Sequence, residues 1–111
     1  MLSKKHRVNK GVFEAIMKEG KMVSSPLFTF RYIPSTDGVV HFAVVAPKSV
    51  AKTAVLRNSL RRKGYRMAGP LLAKPFIGAL FFKKEALKAE NDQISENIVY
   101  LFKKAGLYLS R

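Results

Sequence analysis

The sequence contains no cysteine. That excludes disulfides, thiolate chemistry and cysteine-based zinc sites, and it suits a cytoplasmic setting. Histidine is nearly as scarce, with His6 and His41 the two present and far apart in the chain. A histidine metal site or a catalytic triad is not expected from such a pair. Acidic residues number 7 against 21 lysines and arginines. They form no close pair of the kind that holds a nuclease metal, Glu90 and Asp92 in a polar stretch excepted. The longest apolar run, Phe76 to Phe82, is far too short to cross a bilayer. The opening Met1-Leu2-Ser3-Lys4-Lys5-His6-Arg7 is basic but leads into no apolar segment, so no signal peptide is expected. No phosphate-cradling glycine loop and no Ser-His-Asp arrangement can be named. The chain is expected to carry neither catalytic side chains nor a metal site of its own.

What is present is apolar bulk and positive charge. Of 111 residues, 48% are hydrophobic, which predicts one folded domain over residues 1–111 rather than a disordered basic tail. The formal charge of +14 far exceeds what solubility requires and repels itself unless a polyanion neutralises it. Nucleic acid is the first candidate partner. An anionic membrane surface is the second, and no membrane partner is expected for want of an apolar anchor.

Hydrophobic periodicity divides the chain into elements. Val12, Phe13, Ile16 and Met17 form a helical stripe over Asn9–Glu19, with Asn9 as the cap and Gly20 as the stop. Leu27 to Ile33 alternates as a strand, Pro34 ends it, and Ser35-Thr36-Asp37-Gly38 carries the Asp-Gly pair that hairpins favour. Val39 to Ala46 reads as the returning strand, apolar on both faces and therefore expected inside the sheet. His41 falls there as a half-buried strand residue. From Val50 the pattern is helical, weakened at Gly64 and ended at Gly69-Pro70. Phe76 to Phe82 is another strand, Lys83 to Asp92 a polar connection, and Ile94, Ile98, Leu101 and Phe102 a last amphipathic helix closed by Gly106. The order helix–hairpin–helix–strand–helix predicts an α+β single-domain sandwich, a small sheet backed by helices.

The charge is concentrated. Between Asp37 and Glu85 there is no acidic residue, while Lys48, Lys52, Arg57, Arg61, Arg62, Lys63 and Arg66 all fall in that window. On a helix Arg57 and Arg61 lie one turn apart, as do Asn58 and Arg62, and stacked like charges destabilise a helix by a few tenths of a kcal/mol per pair. A merely solvated face would interleave glutamates. Phosphates supplying the missing negative charge make sense of the arrangement, because each guanidinium can fork onto phosphate oxygens. The stretch Lys48–Arg66 is therefore expected to bind RNA. Among the aromatics, Phe13 can stack on an unpaired base, although a Phe at the centre of an apolar helical stripe more often belongs to the core. Tyr108, in a basic tail, is either a stacking residue or a loosely packed terminus.

The run Lys48-Ser49-Val50-Ala51-Lys52-Thr53-Ala54-Val55-Leu56-Arg57-Asn58-Ser59-Leu60-Arg61-Arg62 resembles the signature of the protein subunit of bacterial ribonuclease P, in which a Lys-rich loop enters a helix carrying Arg-Asn-Arg-x-x-Lys-Arg. Arg7, Phe13, Ile16 and Gly20-Lys21 match that family's opening helix, and Leu101-Phe102-Lys103-Lys104-Ala105-Gly106-Leu107-Tyr108 its closing segment. The resemblance implies a left-handed helical crossover in the sheet, against the usual rule. It implies that Lys48, Lys52, Arg57, Asn58, Arg61, Arg62 and Arg66 dock on a catalytic ribonuclease P RNA. It also implies that Phe13, Met17, Arg31 and Tyr108 line a cleft for the single-stranded 5′ leader of precursor tRNA. The RNA subunit would perform the hydrolysis with bound magnesium, and the protein would act as a monomer in a 1:1 ribonucleoprotein. Three departures stand out. Ser59 occupies the place of the motif's second arginine. Gly64-Tyr65-Arg66 replaces the usual Leu-Arg-Glu, which predicts a shorter or irregular helix. Met17 and Arg31 stand where many members carry aromatics.

Two other functions fit the charge and size. A structural ribosomal-type protein would need the basic helix but no cleft, and a general single-strand binder would show no preferred RNA.

Overall fold

The computed structural model describes residues 10–35, 38–71 and 74–107. The first apolar stripe folds as α1 (Lys10–Glu19), with Ile16 fully buried and Val12 and Phe13 half-buried. Its expected cap, Asn9, lies outside the described residues. The Gly20 amide donates to the Ile16 carbonyl at 2.9 Å, and the chain turns at once into β1 (Lys21–Ser24). This strand is too short and too exposed to show a period of its own. Its partner is β2 (Phe28–Pro34), antiparallel, with Lys21 opposite Tyr32 and Ser24 opposite Thr29. The turn between them is held by Ser25, whose amide donates to the Phe28 carbonyl at 2.9 Å and whose hydroxyl accepts from the Phe28 amide at 3.2 Å.

The hairpin of this fold is thus β1–β2, which corrects the expected pairing of Leu27–Ile33 with Val39–Ala46. The strand β3 (His41–Val45) does not touch β2. Between them lies β4 (Phe76–Phe82), and the sheet order is β1-β2-β4-β3. β4 runs antiparallel to β2, with Arg31 opposite Ala79, and parallel to β3, with Val44 opposite Leu80. The reason is visible in burial. β4 is buried along both faces except at Phe81, so it takes a central position, while β3 is half-buried at alternate residues and forms an edge. The Asp-Gly turn therefore opens a connection between strands that are not neighbours, and its Thr36 and Asp37 lie outside the described residues.

The parallel pair β3 and β4 is bridged by α2 (Ala54–Ala68), followed by a 3₁₀ turn at Gly69–Leu71. The Thr53 hydroxyl caps α2 by accepting from the Leu56 amide at 3.1 Å. Leu60, Gly64 and Ala68, one helical row, face the sheet. Gly64 does not shorten the helix as expected. It is a point of close approach, where an added Cβ would lie 2.7 Å from Val44 Cγ1. The small side chain lets helix and sheet touch, and packing outweighs its low helix propensity.

After β4, a 3₁₀ turn (Lys84–Lys88) tucks Ala86 into the core, so the connection expected to be polar contributes to packing. The last helix, α3 (Asn91–Lys104), begins with a capping box between Glu90 and Gln93. It ends on Gly106 at φ 76°, where the Leu107 amide donates to the Phe102 carbonyl at 2.8 Å and the Gly106 amide to the Lys103 carbonyl at 3.1 Å.

Two layers of packing result. On one face of the sheet, Phe28, Phe30, Phe42, Val44, Phe76, Leu80 and Phe82 meet Leu60 and Ala68 of α2 and Ile94, Ile98, Leu101 and Phe102 of α3. Phe102 sits 5.2 Å from Phe30 and 6.0 Å from Phe76, ring to ring. The buried residues Ile77 and Ala79 point to the other face, where α1 crosses β2 and β4. Among the described residues the architecture is α+β, three α-helices on a four-stranded mixed sheet. Among the described residues no helix is long and apolar enough to cross a membrane.

Candidate nucleic-acid interface

The basic residues gather where the edge strand passes into α2. Pro47 ends the strand's outflow, and its carbonyl accepts from the Val50 and Ala51 amides, each at 2.9 Å, closing a turn. Lys48 and Lys52 stand exposed on this segment. On α2 the buried row Leu60–Gly64–Ala68 fixes the helix rotation, so Asn58, Ser59, Arg61, Arg62 and Arg66 all reach solvent. Among the described residues, the side chains of Lys48, Lys52, Arg62 and Arg66 show no hydrogen-bond or ion-pair partner. Arg61 donates from Nη2 to the Asn58 Oδ1, one turn back. Arg57 differs: it is half-buried and donates from Nη1 to the Ala51 carbonyl at 3.0 Å. All seven residues expected in the docking set therefore lie between the end of β3 and the end of α2, six of them exposed and Arg57 half-buried. Val55, 78% exposed, and Ser59 sit among them on the outward side of the helix. Unpaired cations at this density repel one another and favour a phosphate backbone as their counter-charge.

A second surface lies on the opposite side of the sheet. Phe13 and Met17, one turn apart on α1, flank the buried Ile16. The Phe13 ring lies 6.0 Å from Phe81 of β4 at a tilt of 53°. Met17 is 42% exposed, and its carbonyl accepts from Arg31 Nη1 at 3.5 Å. Three of the four expected cleft residues, Phe13, Met17 and Arg31, are thus brought together, while Tyr108 lies outside the described residues. Two neighbours were not anticipated. Phe81 carries the Phe13 ring, and Met22, 56% exposed, is the register partner of Arg31 on β1. Because α1 covers β2 and β4, the same face of β3, with half-buried His41, Ala43 and Val45, extends the sheet surface beyond the helix. β3 alternates in burial but is apolar on both faces in sequence, so it does not signal this face. Nor does the apolar run of β4, since it assigns Phe81 to neither side. Among the described residues no three of His, Cys, Asp or Glu stand together as metal ligands.

A family profile for Ribonuclease P matches residues 2–106. The chain belongs to the ribonuclease P protein family. Solved structures agree on the fold. The RNase P protein of Staphylococcus aureus, in a structure at 2.0 Å, superposes with a TM-score of 0.80 at 17% identity, over 94% of this chain and 98% of that one. A second structure of the S. aureus protein gives 0.75 at 19% identity, over 100% and 97%. The RNase P protein of Thermotoga maritima gives 0.71 at 20% identity, over 83% and 89%. At such identities the likeness is one of fold. Comparison with curated protein sequences returns no match. Membership makes the chain the protein subunit of a tRNA-processing endoribonuclease that works as a ribonucleoprotein, with ribonuclease P RNA and precursor tRNA as its partners.

Proposed function

We propose that the ribonuclease P protein described here grips the catalytic RNA with α2 and the Lys48–Lys52 segment, and guides the 5′ leader of precursor tRNA over the α1 face. The observation that carries this reading is the placement of the two surfaces on opposite sides of one sheet. A rigid sheet between them lets one small domain hold ribozyme and substrate at once, without either displacing the other. On the docking side, Lys48, Lys52, Arg57, Asn58, Arg61, Arg62 and Arg66 supply charge. On the leader side, Phe13 offers a ring for stacking, Met17 a polarisable edge and Arg31 a guanidinium, with Tyr108 assigned to the same route. With Arg31 and Met17 in place of aromatics, leader binding relies more on charge than on stacked rings. The unit is a monomer in a 1:1 ribonucleoprotein in the cytoplasm, and magnesium is held mainly by the RNA subunit, which hydrolyses the phosphodiester.

The test is reconstitution. Purified protein added to a bacterial ribonuclease P RNA at low magnesium should raise the rate of precursor-tRNA cleavage. The gain should shrink when the substrate's leader is cut back to a single nucleotide. No stimulation across several such RNAs, despite ordinary RNA binding, sinks the proposal. Equal stimulation with and without a leader removes the α1 face from it.

A further inference from the structure

Arg57 stands apart from the other basic residues of its helix. Arg61, Arg62 and Arg66 are exposed, whereas Arg57 is half-buried. Its guanidinium turns back across the start of α2, and Nη1 donates to the Ala51 carbonyl at 3.0 Å. Ala51 directly precedes Lys52 and follows Lys48 by three residues. The segment is anchored at two other points. The Pro47 carbonyl holds the Val50 and Ala51 amides, and the Ala51 methyl is buried in the main core at 1% exposure. These contacts fix one side of the Ala51 peptide. The carbonyl side is fixed by Arg57, because rotating that peptide plane would break a charge-assisted hydrogen bond. Among the described residues, the bond from Arg57 and the Thr53 cap are the side-chain hydrogen bonds that join this segment to α2.

We infer that Arg57 is a positioning residue for RNA docking. By holding the peptide between Ala51 and Lys52 it presents Lys48 and Lys52 to the phosphate backbone that Arg61 and Arg62 meet. Lys48 and Lys52 are exposed, long and without partners among the described residues, so their reach is set by the backbone from which they start. The motif residue Arg57 thus contributes through two lysines rather than mainly through a phosphate of its own. The inference rests on the docking role of this surface proposed above.

A double-mutant cycle on the full chain separates the two ideas. Wild type, Arg57→Ala, the pair Lys48→Ala with Lys52→Ala, and the triple variant are each titrated against a bacterial ribonuclease P RNA at several salt concentrations. The lysine pair should weaken binding about ten-fold and lower the salt slope by roughly 0.7–0.9 per lost phosphate contact. Arg57→Ala alone should cost about as much and lower the slope by more than one contact's worth. Added to the lysine pair, it should cost less than about two-fold. The Val50 and Ala51 amides should exchange faster in Arg57→Ala than in wild type, with the interior amides of α2 unchanged. If Arg57→Ala does not fold, Arg57→Lys, which keeps the charge but not the planar fork, takes its place with the same expectations for coupling and exchange. Equal losses from Arg57→Ala with and without the lysines, or unaltered exchange at Val50 and Ala51, overturn the positioning role. RNA binding that ignores the lysine pair instead overturns the docking reading itself.

Discussion

Phe13 rests its ring on Phe81, centroids 6.0 Å apart and planes inclined at 53°. Both rings are half-buried, so each keeps part of a face toward solvent. The contact joins α1 to a central strand of the sheet, on the face proposed above for the leader.

Phe13→Leu separates packing from stacking. It keeps apolar bulk against Phe81 and removes the aromatic face, so stability should fall by no more than about 1.5 kcal/mol. Affinity for precursor tRNA with a leader should drop roughly ten-fold, within the range of about 1–3 kcal/mol found for base–aromatic stacking. Binding of the ribonuclease P RNA itself should not change. Titrations of reconstituted complexes with leader-bearing and leaderless substrates check this, and equal losses on both would remove Phe13 from the leader route.

Ser59→Arg should be a gain of function. Ser59 is exposed on the same side of α2 as Arg62 and Arg66, at the place where the family motif carries an arginine. A guanidinium there should tighten RNA docking and steepen its salt dependence by about 0.7–0.9 in log–log slope. An unchanged slope in salt titrations would mean that this part of the helix faces away from the RNA.

Gly64→Ala should destabilise the protein although alanine is the better helix former by about 1 kcal/mol. The new methyl would stand 2.7 Å from Val44 Cγ1, on a β-branched side chain with little freedom to move. Overpacking of this kind costs about 1–3 kcal/mol, which outweighs the propensity gain at most of that range. Urea unfolding should show the loss, and pairing the change with Val44→Ala should recover part of it.

Tyr65→Phe tests how the sheet edge is sealed. The Tyr65 hydroxyl accepts from the Val44 amide at 3.3 Å, and its ring packs edge-on to Phe42 at 5.8 Å. Removing the oxygen leaves an edge-strand amide without that acceptor, at a cost of about 1 kcal/mol for a part-buried bond. The Val44 amide should exchange faster while RNA binding holds steady. Loss of RNA affinity without loss of protection would instead assign the hydroxyl to the interface.

Much of this protein can be read along the chain because the signals are local. The stripe around Ile16, the row that ends in Phe102 and the charge on α2 each depend on residues within a few turns of one another. Periodicity starts this helix at Val50, and the Thr53 cap shifts only the starting point. Pairing was harder. The Asp-Gly turn suggested a hairpin between two successive strands, and β4 intervened from some thirty residues further on. Gly64 and Tyr65 depart from the family pattern, which by itself predicts a weakened helix. Both are fitted to Val44, a residue of another element, so neither could be interpreted before β3 had been placed under α2.

The amino-acid sequence by itself determined the polyanion-binding charge, the helices and the faces that their periodicity exposes, because these follow from composition and short-range spacing. Only the tertiary structure decided which strand lies beside which, that Phe13 meets Phe81, and that Arg57 reaches back to Ala51. Alternation along a strand tells which side chains share a face. It is silent about which neighbour that face will have, since that is settled by how distant apolar surfaces exclude water together.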